Sequence, residues 1–393
     1  MINREKYLSV IRDFYESDLV KVITGIRRCG KSVILNTIIT EISKKTDNII
    51  YLNFENMNDF SKASTYLDLL NYVKAKRKKG KCYIFLDEIQ EVDEWQKAIK
   101  DLRLGDNSVF ITGSNSKLLS SEFLTLLSGR FVSFRIRPFV YQEIIEYGKE
   151  LSKDISVSDY LTWGGFPGRF QIDTEQGRKN YLTDIENTIV INDLIKRYKI
   201  KKEVLFKRVV NFVLENNARI FSARSVYNYI KKEYDGCSIN TIIKYINYLK
   251  EAFIIDEIPQ YSTKKKRDLV FLGKIYLSDV CFNSLRAFNG RFDYDHNLEN
   301  IVYNELLYRG YELKVFDNNG KEIDFVASKN GKLFYIQVAY SVADPKAYDR
   351  EFGAFGSLDN NNQKILITTD EPNFSTSTIR HISLKDFLLM NDF

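Results

Sequence analysis

Several residue types are scarce in this chain of 393 residues, and their scarcity excludes some classes of protein. It contains only 2 histidines, which argues against a zinc centre or a histidine-based catalytic dyad. Its 4 cysteines, at positions 29, 82, 237 and 281, form no close pair, so we expect reduced thiols and a cytoplasmic protein. No apolar run approaches the roughly 20 residues that cross a bilayer, and the N-terminus lacks the charged and then apolar pattern of a signal peptide. We therefore expect no membrane partner.

The residues that are present are those of an ordinary globular protein. Hydrophobic residues make up 44% of the chain and charged residues 28%, which excludes an intrinsically disordered class. A chain of this length is long for a single core and suggests two or three domains. The formal net charge of +6 is compatible with a nucleic-acid partner without requiring one.

The most informative segment is a glycine-containing loop near the N-terminus. An apolar strand, Val20–Ile23, runs into Gly25-x-x-x-x-Gly30-Lys31-Ser32, and an amphipathic helix follows. Glycine lets such a loop curl so that backbone N–H groups and the helix N-terminus face one anion. Lys31 would reach the β- and γ-phosphates and Ser32 would place its hydroxyl on Mg²⁺. We assign nucleotide binding to Gly25, Ile26, Arg27, Arg28, Cys29, Gly30, Lys31, Ser32 and Val33. The alternative is a βα turn that matches this pattern by chance.

A second motif supplies the acids that such a loop needs. The segment Cys82–Glu88 is a short apolar strand that ends in two acids, which is typical of a buried parallel strand at a ligand crevice. Asp87 would complete the Mg²⁺ shell opposite Ser32, and Glu88 would polarise the water that attacks the γ-phosphorus. Because metal binding alone does not need the second carboxylate, the pair predicts hydrolysis. The plainer interpretation is a strand that ends in solvated acids.

Weaker candidates follow along the chain. A third apolar strand, Ser108–Thr112, precedes Ser114 and Asn115, either of which would sense the γ-phosphate or orient the water; the same residues are common in turns. Arg130 is a candidate arginine finger for the γ-phosphate of a neighbouring subunit, or else a surface arginine. The finger hypothesis would make the protein a homo-oligomer.

Several segments carry a family resemblance when they are taken in order. They are Gly-Ile-Arg-Arg-Cys-Gly-Lys-Ser (25–32), Tyr-Leu-Asn-Phe-Glu (51–55), Phe-Leu-Asp-Glu-Ile-Gln (85–90), Ile-Thr-Gly-Ser-Asn-Ser (111–116), Leu-Ser-Gly-Arg-Phe (127–131), Arg-Pro-Phe-Val-Tyr-Gln-Glu (137–143) and Tyr-Leu-Thr-Trp-Gly-Gly-Phe-Pro (160–167). Together they resemble the prokaryotic AAA-type P-loop ATPases that carry an uncharacterised C-terminal region. Segments 298–311, 321–326 and 335–340 resemble that region, so the resemblance covers nearly the whole chain. It implies an α/β P-loop NTPase fold and ATP rather than GTP as the nucleotide.

The order of predicted elements gives the domain organisation. Residues 1–150 alternate apolar strands with helical stretches, which predicts an AAA-type P-loop ATPase domain with a parallel sheet. Residues 151–203 would form a lid that couples nucleotide state to shape, since Ser158–Lys201 is predicted as helical apart from Gly164-Gly165-Phe166-Pro167. A winged-helix domain over 204–288 and an α+β restriction-endonuclease-like domain over 289–393 complete the predicted order.

The winged-helix prediction rests on three helices and a hairpin with a basic tip. The helices are expected at Phe206–Glu215, Ala223–Glu233 and Ile239–Ala252. The tip consists of Lys264, Lys265, Lys266 and Arg267, which would lie on the phosphates of double-stranded DNA. The alternative is a spacer or protein-docking module with a solvated loop tip.

The C-terminal segment resembles the core of the PD-(D/E)xK endonucleases. Such nucleases place an Asp and a Glu on Mg²⁺, and a Lys two residues after the Glu positions the attacking water. Glu299 and Asp324 are present, but the acid-x-Lys position reads Gln337-Val338-Ala339. Because Gln offers only a neutral carbonyl and Ala cannot activate water, we expect no nuclease activity. The alternative is that Lys332 or Lys346 replaces the missing lysine of the motif, in which case the domain would retain nuclease activity.

These features predict a Mg²⁺-dependent ATPase that acts as a nucleotide-driven switch or motor on DNA. An alternative of a different class is a signalling or scaffold NTPase whose C-terminal half binds a protein partner. A third, minor alternative is an ATP-regulated DNA nuclease. Stimulation of ATPase activity by DNA separates the first from the second, and metal-dependent plasmid nicking identifies the third.

Overall fold

The structure is a computed structural model that describes residues 2–114, 118, 121–127, 129–232, 234, 236–261, 273–318, 321–356, 358 and 361–393. The chain falls into two compact units, Met1–Pro138 with Glu251–Phe253 and Phe139–Lys250 with Ile254–Phe393. The domain boundaries predicted at residues 150, 203 and 288 remain predictions. Within the described ranges, no helix combines the length and the apolar character needed to cross a membrane.

The first unit is built on a five-stranded parallel sheet. Its strands are β1 (Val20–Thr24), β2 (Ile49–Asn53), β3 (Cys82–Asp87), β4 (Asn107–Gly113) and β5 (Phe131–Arg135). Their order is β2-β3-β4-β1-β5, and every neighbouring pair is parallel. β1, β3 and β4 are buried along their whole lengths, as expected for central strands that are covered on both faces. The parallel α/β sheet that the sequence predicts is therefore confirmed.

In the part of the first unit that the structure describes, six helices accompany this sheet. They are α1 (Glu5–Arg12), α2 (Lys31–Ser43), α3 (Met57–Phe60), α4 (Tyr66–Lys76), α5 (Trp95–Leu104) and α6 (Ser121–Leu127), with a short 3₁₀ turn at Ile89–Glu91. A buried cluster of aliphatic side chains from the sheet packs with the rings of Trp95 and Phe123, whose centroids are 4.7 Å apart. This core fixes the carboxyl ends of the strands, where the predicted site residues lie.

The helices of the second unit begin after Pro138. They are α7 (Tyr141–Glu150), α8 (Val157–Trp163), α9 (Glu175–Ile185), α10 (Asp193–Tyr198), α11 (Glu203–Glu215), α12 (Ala223–Ile230), α13 (Ile239–Glu251), α14 (Cys281–Ser284), α15 (Tyr294–Tyr308), α16 (Pro345–Ala354) and α17 (Leu384–Leu389). A 3₁₀ turn spans Pro167–Gln171, and a π-helical stretch spans Glu186–Asn192. Three of these helices, α11 to α13, lie where the sequence predicts them. Ser222 begins α12 by accepting a hydrogen bond from Ser225 N, as its N-cap position requires.

Two further sheets belong to the second unit. The strands are β6 (Ile220–Phe221), β7 (Ile255–Ile258), β8 (Gln260–Tyr261), β9 (Gly273–Leu277), β10 (Glu312–Asn318), β11 (Lys321–Lys329), β12 (Lys332–Val338), β13 (Gln363–Thr368) and β14 (Ile379–Ser383). One sheet is antiparallel, with the order β6-β9-β7, and the other is mixed, with the order β14-β13-β12-β11-β10-β8. β10, β11 and β12 are antiparallel neighbours, so residues on β11 and β12 lie side by side.

The tandem glycines after α8 have a packing reason. Gly164 has φ +68°, and a Cβ at this residue would lie 1.6 Å from Asp279 Oδ1. A Cβ at Gly165 would lie 2.0 Å from the carbonyl oxygen of Phe139. The backbone N–H of Gly165 donates to Asp279 Oδ2 at 2.7 Å, and Cys281 N donates to Oδ1 at 2.9 Å. Two glycines are therefore needed where the backbone wraps around a buried carboxylate.

Candidate functional site

The loop between β1 and α2 curls as its glycines allow. Gly25 has φ +143° and Gly30 has φ +100°, conformations that other residues rarely adopt. A Cβ at Gly25 would lie 2.1 Å from the carbonyl oxygen of Ile136, so this glycine also permits close approach of the segment after β5. α2 begins directly after Gly30, so the N-terminus of the helix opens into the loop.

The outer side of the loop is held by side chains. Arg4 Nη1 donates to the carbonyl oxygen of Cys29 at 3.0 Å, and Arg4 Nη2 donates to that of Pro138 at 3.5 Å. Cys29 is buried, and its Sγ donates to the carbonyl oxygen of Ile136 at 3.4 Å. Arg27 is partly exposed and pairs with Glu55. Sequence analysis missed Arg4, and no local pattern marks it.

Lys31 is buried at the start of α2 but has only long contacts. Its Nζ lies 3.4 Å from Glu88 Oε1 and donates to the carbonyl oxygens of Gly25 at 3.3 Å and Ile26 at 3.4 Å. These distances are longer than the usual 2.7–2.9 Å or so of a charge-assisted hydrogen bond. The ammonium is therefore well placed at the loop and loosely held there.

Asp87 ends β3 as a buried carboxylate with one unsatisfied oxygen. Thr112 Oγ1 donates a hydrogen bond to Asp87 Oδ1, and the hydroxyls of Ser32 and Thr112 both favour the ionised form of the carboxylate. Among the residues that the structure describes, Asp87 Oδ2 has no hydrogen-bond partner. Burial raises the pKa of Asp87 above its ordinary value, although the two hydroxyls oppose this shift. A buried, unsatisfied carboxylate oxygen beside a serine hydroxyl suits Mg²⁺, which prefers oxygen ligands.

Glu88 follows in a left-handed conformation, with φ +53°, and is almost fully satisfied. Its Oε2 accepts hydrogen bonds from Gln90 Nε2 at 2.5 Å and from the N and Oγ of Ser114, both at 3.2 Å. Burial works against its ionisation, but the Lys31 ammonium and these donors outweigh burial and lower the pKa of Glu88. The two adjacent acids are thus shifted in opposite directions, an arrangement typical of sites where neighbouring carboxylates have different roles.

Thr112 on β4 joins the two acids. Its Oγ1 accepts a hydrogen bond from the backbone N–H of Glu88 at 3.0 Å and donates to Asp87 Oδ1. The parallel pairing of β3 with β4 places this hydroxyl there, since Leu86 lies opposite Ile111 in the register. Sequence analysis missed Thr112 and Gln90, although both fall within segments that it singled out.

The remaining predicted residues of the first unit are placed as follows. Ser114 reaches Glu88, and Val33 is half-buried on α2. Arg28 is exposed in the loop, with φ +66°. Asn115 lies outside the described residues.

Arg130 is exposed at the amino end of β5, whereas the loop lies at the carboxyl end of the parallel β1. A strand of 5 residues separates these edges by roughly 16 Å, so Arg130 does not reach the loop of its own chain.

The predicted C-terminal cluster is partly assembled. Asp324 on β11 and Gln337 on β12 are neighbours, since Gln337 Oε1 accepts a hydrogen bond from Asp324 N at 3.2 Å. Glu299 on α15 and Asp324 both contact the ammonium of Lys274, a residue to which sequence analysis gave no role in this cluster. Lys332 and Lys346, the amines that the sequence left open, are exposed.

The residues predicted for DNA contact lie mostly outside the described part of the chain. Lys264, Lys265, Lys266 and Arg267 fall there, so their placement stays a prediction. On α13, Asn240, Lys244 and Asn247 are exposed on one face.

Comparison with known proteins gives the family. The profile of a family described as AAA domain matches residues 17–145, and two families described as domains of unknown function, DUF8612 and DUF4143, match residues 155–287 and 294–387. An uncharacterised protein of Haemophilus influenzae is 35% identical over 377 residues, which cover 94% of this chain and 93% of that protein. An uncharacterised protein of Methanocaldococcus jannaschii is 30% identical over 395 residues, which cover 94% of this chain and 86% of that protein. The chain belongs to the family of AAA-domain proteins that includes both.

A solved structure shares the fold. A Walker-type ATPase of Pyrococcus abyssi aligns with 73% of this chain and 96% of its own, with a TM-score of 0.52 and 14% sequence identity. At this identity the likeness shows the fold alone, a P-loop ATPase fold with a parallel sheet. The expectation of an AAA-type P-loop domain is confirmed.

Proposed function

We propose that this AAA-family protein binds ATP·Mg²⁺ at the loop 25–33 and hydrolyses ATP. The observation that carries the proposal is the convergence of Lys31, Ser32 and the unsatisfied Asp87 Oδ2 with Glu88 at one edge of the sheet. The metal would be held by Ser32 and Asp87, and it would neutralise charge that develops on the phosphate oxygens. The family resemblance favours ATP over GTP as the nucleotide that binds.

Each residue has a defined task in this proposal. Lys31 exchanges its long contacts with the Gly25 and Ile26 carbonyls for shorter ones with the β- and γ-phosphates. Glu88 is ionised near neutral pH because its pKa is lowered, and it accepts the proton of the attacking water. Ser114 and Gln90 orient the Glu88 carboxylate.

The test is ATP binding and turnover in Glu88→Gln. We expect binding to be retained and turnover to fall by about 10²–10⁴-fold, the usual contribution of a general base. Glu91→Gln, which removes an exposed carboxylate one turn away, is the matched control and should leave turnover unchanged. Full turnover in Glu88→Gln would remove Glu88 from the mechanism, and a wild-type chain without affinity for any nucleoside triphosphate in Mg²⁺ would end the proposal.

We further propose that the ATPase acts as a nucleotide-driven switch or motor on double-stranded DNA. Helices α11 to α13 and the antiparallel sheet β6-β9-β7 have the element order of a winged helix. The exposed face of α13 and the basic sequence 264–267 supply the polar and positive side chains that such a module uses. In this proposal the helices of segment 151–203 respond to nucleotide as a lid.

ATPase rate with and without duplex DNA tests this role. We expect stimulation and salt-sensitive binding, and both should be lost when Lys264, Lys265, Lys266 and Arg267 are changed to Ala. The matched control removes the same charge elsewhere: Lys76, Arg77, Lys78 and Lys79 are exposed and should be dispensable. Unchanged turnover and no binding at low salt would favour the scaffold NTPase.

For residues 289–393 we propose a nuclease-like fold without cleavage activity. The supporting observation is that Asp324 and Gln337 are neighbours on β11 and β12, with the neutral Gln337 at the position where a nuclease carries an acid. We expect no nicking of a supercoiled plasmid with Mg²⁺ or Mn²⁺. Nicking that disappears in Asp324→Ala would contradict this part of the proposal.

A further inference from the structure

A buried lysine lies among three carboxylates in the second unit. Lys274 Nζ on β9 lies 2.6 Å from Glu299 Oε1, 2.6 Å from Glu322 Oε1 and 3.1 Å from Asp324 Oδ1. The lysine side chain is 5% exposed, and those of Glu299 and Asp324 are 10% and 8% exposed. Because one group comes from β9, one from α15 and two from β11, the tertiary fold assembles the cluster.

The cluster carries more potential negative charge than one ammonium neutralises. Three carboxyl groups surround the single ammonium of Lys274, at 2.6 Å, 2.6 Å and 3.1 Å. A cation of higher charge would satisfy the same oxygen atoms more fully.

The neighbouring strand β12 holds Asp324 independently of the lysine. Val338 N donates to Asp324 Oδ2 at 2.9 Å, which directs Oδ1 towards Lys274. Gln337 accepts from the backbone N–H of Asp324 and donates to Glu351 Oε2 at 2.9 Å. The carboxylate of Asp324 would therefore keep its place if the ammonium were removed.

We propose that Nζ of Lys274 occupies the position at which Glu299, Glu322 and Asp324 would otherwise hold a divalent metal ion. Calcium binds carboxylate oxygens at about 2.3–2.6 Å in flexible geometries, close to two of the three distances found around Nζ, those to Glu299 and Glu322. In the described residues, no group of three or more His, Cys, Asp or Glu side chains is arranged to hold a metal.

The inference gives a chemical reason for the proposed lack of cleavage. A fixed ammonium neutralises carboxylates but does not lower the pKa of a bound water as a metal ion does. The inference deepens the proposal of an inactive nuclease-like fold and is independent of ATP hydrolysis. Because its test measures calcium binding and not cleavage, the two proposals can fail separately.

The test is calorimetric titration of the full chain with CaCl₂, comparing wild type with Lys274→Ala. The alanine leaves room for an ion, and we expect it to bind one calcium ion at least tenfold more tightly than wild type does. The gain should disappear in Lys274→Ala/Asp324→Asn. Lys21→Ala is the matched control: Lys21 is also buried, but its Nζ contacts the Ser17 carbonyl oxygen and Ser108 Oγ, both at 2.8 Å, and no calcium should bind.

Three further outcomes decide the case. If Lys274→Ala does not fold without metal, the yield of refolded protein is compared in excess CaCl₂ and in EDTA; calcium should restore folding, and equal yields would overturn the proposal. A folded Lys274→Ala without added calcium binding would also overturn it. So would a wild-type chain whose calcium binding is lost in Asp324→Asn, because Lys274 would then not occupy the position.

Discussion

Two buried lysines face carboxylates, one in each unit, and their surroundings differ. Lys31 has contacts of 3.3–3.4 Å with Glu88 and with two loop carbonyl oxygens, whereas Lys274 has two carboxylate contacts of 2.6 Å. Within the described residues, Asp87 Oδ2 near Lys31 has no hydrogen-bond partner. Both oxygens of Asp324, by contrast, are engaged.

The difference separates a site with room for a cation from one that already contains a cation. A buried polar group without a partner costs stability, and a bound metal ion would remove that cost at Asp87. In the second site the ammonium of Lys274 already lies among the carboxylates and connects β9, α15 and β11. Four predictions test this distinction.

The largest effects should come from truncating either lysine: Lys31 should affect mainly ATP turnover, and Lys274 should affect mainly stability. Lys31→Ala should lower ATP turnover by about 10²–10³-fold, the usual loss for a phosphate-stabilising donor, and should cost less stability than Lys274→Ala, because Lys31 Nζ has one long carboxylate contact, with Glu88 at 3.4 Å. Lys274→Ala should lower the free energy of unfolding by about 3–5 kcal/mol, because buried carboxylates lose their counter-ion, and turnover per folded molecule should be unchanged. Steady-state ATPase assays and urea unfolding measure both. Equal losses of stability would contradict the comparison.

Removing one carboxylate charge from each site should change stability with opposite signs. Because the folded state raises the pKa of Asp87, it binds that proton more tightly than the unfolded state, and the ionised group costs stability at neutral pH. Asp87→Asn should therefore raise the free energy of unfolding by about 1 kcal/mol. Asp324→Asn should lower it by about 1.5–3 kcal/mol, the range for a charged hydrogen bond. Urea unfolding at pH 7 is the measurement, and a shared sign would refute the distinction.

Thr112→Val tests whether the first site depends on its shared hydroxyl. Valine keeps the shape of the side chain but cannot bridge Glu88 N and Asp87. We expect kcat to fall about tenfold, which corresponds to roughly 1.4 kcal/mol, with KM for ATP almost unchanged. Thr37→Val on α2 is the control, since within the described part of the chain its hydroxyl bonds only to the Val33 carbonyl oxygen. Equal kcat values for the two variants would show that the bridge is not needed.

A third buried lysine should behave differently from both. Burial, followed by the charge of Lys81, lowers the pKa of Lys21 to about 7. Between that value and the higher pKa of an unfolded lysine, the unfolded chain binds the extra proton, so this residue makes stability rise with pH across that window. Lys21→Met should reduce the slope of unfolding free energy between pH 7.5 and 9.5 by about 1 kcal/mol per pH unit. Parallel curves for wild type and variant would contradict the assigned shift.

The sequence predicts much of the first site because its residues form local patterns. Lys31 and Asp87 are recognisable from a strand, a loop and the residues that end the next buried strand. Thr112 acts through the register of β3 with β4, which a single sequence does not display. Arg4 reaches a carbonyl oxygen 25 positions away, and Lys274 meets Asp324 across 50 positions. Such long-range contacts depend on packing, and no spacing in the sequence encodes them.

The carboxylate of Asp279 occupies the volume in which a side chain at position 164 would lie. A methyl group added there has no room unless Asp279 becomes shorter, so we expect the two positions to change together during evolution or not at all. The two adjacent glycines and the distant aspartate would then form a sequence signature by which remote relatives could be found. The signature would also identify relatives whose phosphate-binding loop no longer matches the usual pattern.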